Sequence, residues 1–284
     1  MKKTWFIYFN LILTTVCILI LLYSNYQNNF LGIHNKILHQ TEPAKSRVIL
    51  TSANKAKRMQ IKRMVMRQTQ RNKHLNKQGF ISIPKVGVLE PIFNSAYTET
   101  GLKVGANYAN KSAADPAGNK IPKMGSRNYG VASHNFNDGK TGFSGLQENL
   151  NRDAPYLIKN KLHGSNWLNG QPIYLANQNG IYEYQIKKQI LVTSNNIKIL
   201  NPTKRAQVTI ISCLYPSTQY KIITIGEFKR KYSWITAPAK IVNFFDLQKQ
   251  PTNAHVNWYN PGTEEGSNGD AGGTKKHINW TLSS

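Results

Sequence analysis

A chain of 284 residues with 40% hydrophobic content is long and apolar enough to bury a real core, as one substantial domain with appendages or two small ones. Its 37 Lys+Arg against 13 Asp+Glu give a formal charge of +24, which implies an anionic neighbour such as nucleic acid, lipid headgroups or an acidic polymer.

The N-terminus chooses among these. Lys2 and Lys3 precede an uncharged run, Trp5 to Tyr23, long enough to cross a hydrocarbon core of roughly 30 Å. Trp5, Tyr8 and Tyr23 lie near its ends, where amphipathic aromatics favour the interface. The following residues, "SNYQNNF", offer no small-x-small cleavage site, so residues 5–23 read as an uncleaved single-pass anchor. A signal sequence cut elsewhere is the alternative. Cations at residues 2 and 3 keep residues 1–4 in the cytoplasm and send the remaining chain outside, which argues against nucleic acid as a partner.

No acidic residue occurs between Glu42 and Glu90. Within this gap Asn54 to Gln78 is dense in Lys and Arg, and Met59, Ile61, Met64, Val65 and Met66 fit a short helix with a weak apolar stripe. Residues 24–77 are therefore expected to be a basic stalk, either drawn to anionic lipid headgroups or wall polymers or simply a solvated spacer.

From Gly79 the pattern changes to short β-like runs broken by Pro and Gly. They are 79–93, 128–136, 171–177, 180–193, 207–213 and 220–228, with alternation and β-branched and aromatic enrichment. These predict an all-β domain over 78–246, a mostly antiparallel sheet or closed barrel, with a short helix at 142–150 and a loop at 107–128. Beyond Phe245 the β pattern fades, and residues 247–284, with the Gly, Asn and Ser-rich stretch 260–276, read as a flexible tail.

Cys17 lies in the apolar run, which leaves Cys213 as a free thiol outside the membrane. A thiol is a useful nucleophile only as thiolate, which requires a nearby proton acceptor or positive charge. Among seven histidines only His134, in "VASHNF", sits at the end of a predicted core strand. A small buried cysteine and a surface histidine are the plain alternative.

"VTIISC", Val208 to Cys213, resembles the strand-end signature of the sortases, usually Thr-Leu-x-Thr-Cys; Thr209 and Cys213 match, while Ile210 and Ser212 replace the usual residues. "GVASHN", 130–135, resembles the family's histidine strand, "GFISIPKVGVLEPIF" its opening strands and "IITIGEF" its last strand, all in the right order. The resemblance, closest to class A, implies an eight-stranded sortase-type β-barrel and a cysteine transpeptidase. It implies cleavage of a Leu-Pro-x-Thr-Gly sorting signal of surface-protein precursors between Thr and Gly, and transfer of the acyl group to a peptidoglycan-precursor amine. Cys213 would be nucleophile and His134 general acid/base, with Thr209, Ile211, Ser212 and Ala132 at the substrate. No metal or other cofactor is expected.

The family's third residue is an arginine, and in the short-loop pattern Lys221 stands there. Three accounts follow: Lys221 does the work less well, Arg230 or Arg205 reaches in, or the domain is partly disabled. L,D-type transpeptidases would place a His-Gly pair before the cysteine, where Ile211 and Ser212 stand, and papain-like enzymes place the cysteine before the histidine. A non-enzymatic rival, an anchored wall-binding or adhesion domain, explains the charge without using Cys213.

Overall fold

The structure, a computed structural model, describes residues 14–16, 51–68 and 74–254. The chain falls into two units, Met1–Thr51 and Ser52–Ser284, and the barrel belongs to the second. Almost all of the expected anchor 5–23, residues 24–50 of the expected stalk and residues 255–284 of the tail lie outside the described residues. Among the described residues no helix is long and apolar enough to cross a membrane.

The described residues form eleven strands: β1 (Lys77–Ile83), β2 (Val88–Phe93), β3 (Ala106–Tyr108), β4 (Asn128–Ala132), β5 (Leu157–Ile158), β6 (Lys161–Leu162), β7 (Gly164–Ser165), β8 (Pro172–Asn177), β9 (Gly180–Thr193), β10 (Gln207–Cys213) and β11 (Tyr220–Tyr232). The hydrogen-bonded order is β11-β10-β4-β3-β2-β1-β8-β9, and β9 pairs back onto β11, so eight strands close a ring. Closure removes the exposed edges that an open sheet would present. β7 adds to β9 beyond β8, and β5 and β6 form a separate hairpin. Two neighbour pairs are parallel, β2 with β3 and β4 with β10; the other pairs of the ring are antiparallel.

Side-chain alternation sorts the strands between two apolar layers. Ile81, Ile83, Val88, Ile92, Val131, Val208 and Ile210 fill the barrel with Phe143, Leu146 and Tyr184. Phe80, Leu89, Tyr174, Ala176 and Ile181 pack in a second cluster, under helix α1 (Ser52–Met66) and the C-terminal segment. Helix α2 (Glu99–Val104) leads into β3, and α3 (Ala239–Asn243) carries Ile241 and Val242 into the second cluster.

Helix α1 differs in placement from the stalk expectation. Its stripe of Arg58, Ile61 and Val65 is buried, and Arg58 Nη1 donates to the carbonyls of Trp234 (3.1 Å) and Ala237 (2.6 Å). The packed domain thus begins at Ser52 rather than near Gln78, because the weak stripe has a surface of Phe80, Trp234 and Phe245 to cover. At the other end Leu247 and Ala254 are fully buried, so the fold runs past Asp246. The short helix expected at 142–150 is a 3-10 turn, Ser144–Leu146. The loop at 107–128 begins only after the brief strand β3.

Candidate active site

Register explains how two distant segments meet. β4 and β10 run parallel, with Thr209 beside Gly130 and Ile211 beside Ala132. Side chains of one strand face repeat every second residue, so the next step on each strand, Cys213 and His134, leaves the same end of the sheet on the same face. The Ser133 amide donates to the Ile211 carbonyl at 3.2 Å and carries the pairing past the formal end of β4. On the other side of β10 the antiparallel register sets Lys221 of β11 directly opposite Cys213. Lys221 Nζ donates to Cys213 Sγ at 2.9 Å.

Cys213, His134 and Lys221 line one open cavity of about 500 Å³. Val192, Ile211 and Ala132 form part of its apolar wall, Ile197, Ile199 and Leu200 of the β9–β10 connection another, and Tyr97 and Leu102 border it from the β2–β3 connection. Among the described residues the lining contains no carboxylate; besides Cys213 its charged or titratable groups are His134, Lys221, Lys111 and Tyr97. Gly130 lets the β9–β10 connection close in, since a Cβ there would lie 2.5 Å from Leu200 Cδ2 and 2.3 Å from the Ala109 carbonyl oxygen.

The loop bearing His134 is fixed through its backbone. Phe143 N donates to the His134 carbonyl at 2.7 Å, and the His134 ring meets Phe136 edge-on with centroids 5.4 Å apart. Asn135, buried beside it, donates through Nδ2 to the Cys213 carbonyl (2.9 Å) and to Gln147 Oε1 (2.8 Å). Gln147 in turn accepts from Tyr215 N at 2.9 Å and donates to Tyr215 O at 2.7 Å. This network ties the histidine loop to the backbone on both sides of the thiol. Reading the chain alone passes over Asn135 and Gln147, whose only local signal is the position of Asn135 next to the histidine.

Of the residues expected at the substrate, Ala132 and Ile211 line the cavity. Ser212 touches its edge, but the side chain is buried and the hydroxyl has no hydrogen-bond partner. Thr209 does not line it. Fully buried, Thr209 donates through its hydroxyl to Asn128 Oδ1 at 2.6 Å, and Asn128 Nδ2 donates to the carbonyls of Ile199 (2.8 Å) and Asn201 (3.0 Å). Its side chain therefore supports the cavity wall from behind rather than meeting a ligand. Arg205 and Arg230 are also absent from the lining, and Arg230 pairs instead with Glu183 at 3.5 Å. Lys221 is the cation that reaches the sulfur. No group of three or more His, Cys, Asp or Glu side chains that could hold a metal occurs among the described residues.

Behind the cavity, on β2, stands a feature that the strand pattern hides. Glu90 is fully buried in the barrel, and neither carboxyl oxygen has a hydrogen bond of ordinary geometry. Burial pushes its pKa up to about 8, while the nearby Ser133 hydroxyl acts in the opposite sense.

A family profile described as Sortase domain matches residues 81–229. The chain is 26% identical over 176 residues to sortase A of Streptococcus agalactiae serotype III, an alignment covering 62% of each chain. It is 25% identical over 153 residues to sortase A of Listeria monocytogenes serovar 1/2a, covering 54% of this chain and 56% of the relative. The chain therefore spans about three fifths of the length of these curated relatives. Among solved structures, Listeria monocytogenes sortase A aligns with a TM-score of 0.45 and 21% identity, covering 60% of this chain and 96% of that one. The matched segment runs from β1 through most of β11 and so holds the closed ring, the histidine loop and the cysteine strand end; by that match this chain belongs to the sortase family.

Proposed function

We propose that the protein is a membrane-anchored cysteine transpeptidase. It cleaves a Leu-Pro-x-Thr-Gly type of sorting signal between Thr and Gly and joins the acyl product to a cell-wall amine. The observation that carries this reading is the convergence of Cys213, at the end of β10, His134, in the loop after β4, and Lys221, on β11, on one cavity.

Each step uses a group at that cavity. Sγ of Cys213 attacks the scissile carbonyl, and the adjacent cation favours the sulfur as nucleophile. His134 protonates the departing amine, which leaves it neutral and ready to accept a proton from the incoming one. The acyl-enzyme splits amide exchange into two lower barriers and preserves an activated carbonyl for ligation. Lys221 lies where it can also face the oxyanion, although an ammonium lacks the planar fork with which a guanidinium grips a carbonyl or carboxylate. The apolar walls formed by Val192, Ile199, Leu200 and Ile211 suit the Leu-Pro portion of an extended peptide.

Residues 5–23 anchor the chain with residues 1–4 in the cytoplasm and the barrel outside, a placement supported by the uncharged run and by Lys2 and Lys3. The surplus of cations suits anionic wall polymers or lipid headgroups. The test is intact-mass spectrometry of residues 52–254 incubated with a Leu-Pro-Ala-Thr-Gly peptide, with and without triglycine. A thioacyl adduct that disappears in Cys213→Ala, and a ligated peptide when triglycine is present, are expected. Absence of any adduct with this or other sorting peptides would favour a wall-binding domain without activity.

A further inference from the structure

Lysine beside the nucleophile brings a chemistry that arginine does not. A guanidinium stays protonated and delocalised, whereas a lysine amine becomes a good nucleophile once it loses its proton. Here that amine is 2.9 Å from Cys213 Sγ, and the two residues are direct cross-strand partners, so the backbone of β10 and β11 holds the approach.

We propose that Lys221 is itself an acyl acceptor: an acyl group carried on Cys213 passes to Lys221 Nζ, forming an amide that joins the substrate's acyl group to the lysine side chain and releasing the thiol. The inference rests on the acyl-transfer reading above and adds an internal acceptor to it.

Once the thiol is acylated, the Sγ atom that Nζ meets belongs to a thioester and bears no formal charge. Among the described residues no carboxylate lines the cavity, and Lys111, the other cation of the lining, is of like charge. His134, having given its proton to the first leaving amine, is the base that faces the same cavity. The carbonyl carbon of the thioester is one bond from Sγ and so within reach of Nζ without chain movement.

The step balances without an oxidant or cofactor. The Nζ lone pair attacks the thioester carbonyl, the C–S bond breaks with its electron pair on Sγ, and the surplus Nζ proton passes by way of His134 to the sulfur or to water. The sum is thioester plus amine giving amide plus thiol. An amine held at this distance competes at an effective concentration on the order of 10⁵ M when well aligned. The external acceptor must therefore arrive before the transfer occurs, and enzyme deprived of acceptor marks and disarms itself by consuming its own cation.

The experiment uses N-acetylthreonine benzyl thioester, which acylates a reactive thiol by exchange and does not depend on recognition of a sorting peptide. Residues 52–254 and the full chain in detergent are incubated with it and analysed by intact mass before and after hydroxylamine, then by peptide mapping. Hydroxylamine removes a thioester and leaves an amide. The expected result is a hydroxylamine-resistant acyl group on Lys221, on the order of tenfold or more above that in Cys213→Ala. In Lys221→Arg the adduct should remain entirely hydroxylamine-labile. An unmodified Lys221 in wild-type protein bearing the Cys213 thioester overturns the inference and leaves the transpeptidase reading intact. Equal acylation of Lys221 in Cys213→Ala also overturns it, because the acyl group would then not have come through the thiol. Amide formed on Lys221 from the benzyl thioester, with no adduct from any sorting peptide, supports the inference and counts against the transpeptidase reading alone.

Discussion

The side-chain amide of Asn135 donates to the backbone carbonyl of Cys213 at 2.9 Å, joining the loop after the histidine to the residue that bears the thiol. The same nitrogen reaches Gln147 Oε1 at 2.8 Å, and Gln147 grips both backbone polar groups of Tyr215. The separation of thiol and imidazole is therefore set by a buried polar network as well as by strand pairing. Such a network is strong while complete and costly when broken.

Truncation of Asn135 should loosen that separation without touching substrate. For Asn135→Ala, acylation in single turnover is expected to slow roughly ten- to hundredfold, the scale set by small misplacements of reacting groups. Gln147→Ala should behave alike, and the double variant should lose little more than either single one, because both cut one network. Strict additivity of the two rate losses would mean that the residues act separately.

Lys221 is held on Cys213 Sγ, so removing its charge should matter more than changing its shape. Lys221→Ala is expected to reduce the acylation rate by roughly 10²-fold, the lower range for loss of one electrostatic donor. Lys221→Arg should acylate at least as fast as wild type. An unchanged rate in Lys221→Ala would remove the lysine from the mechanism.

Glu90 makes stability depend on pH in the sense opposite to an ordinary salt-bridged carboxylate. Burial raises its pKa from 4.5 to about 8, so the folded state holds a proton that the unfolded state releases. Stability is then fullest below about pH 4.5 and declines through the window up to about pH 8, at about 1.4 kcal/mol per pH unit for this group. At pH 7 the cost is on the order of 3 kcal/mol, and Glu90→Gln should recover much of it. Thermal melts of both proteins from pH 4.5 to 8.5 should diverge as pH rises; parallel curves would show that Glu90 does not titrate in this window.

Helix α1 belongs to the folded domain. Ile61 and Val65, at 2% and 0% exposure, cover Phe80 and Trp234, and each buries apolar surface typically worth about 1.5–3 kcal/mol. A fragment of residues 78–254 should therefore melt well below residues 52–254 and bind a hydrophobic dye such as ANS. Ile61→Ala should lie between them, at a cost of about 2–5 kcal/mol. Equal melting temperatures for the two fragments would return α1 to the role of spacer.

Much of the barrel is legible along the chain because strand alternation is a local property. The runs 180–193 and 207–213 coincide with β9 and β10, since each alternates between layers and ends in turn residues. The same pattern puts Cys213 and His134 at strand ends. It does not distinguish a face turned to the cavity from one covered by a connection, which is why Thr209 matches a motif and yet bonds to Asn128 behind the wall. Nor does it locate β3, three residues long and stabilised by its neighbours β2 and β4 rather than by its own composition.

By itself the amino-acid order determined the layer pattern of the strands, the thiol at a strand end, the histidine that follows a core strand and the lysine eight residues after the cysteine. Tertiary structure decided what those residues do to each other. The parallel register of β4 and β10 and the antiparallel register of β10 and β11 bring imidazole, sulfur and ammonium to one cavity. The docking of α1 and the burial of Glu90 arise in the same way, from which surfaces meet when the ring closes. Pairing between distant strands depends on the closure of the whole barrel, and no local stretch of sequence encodes it.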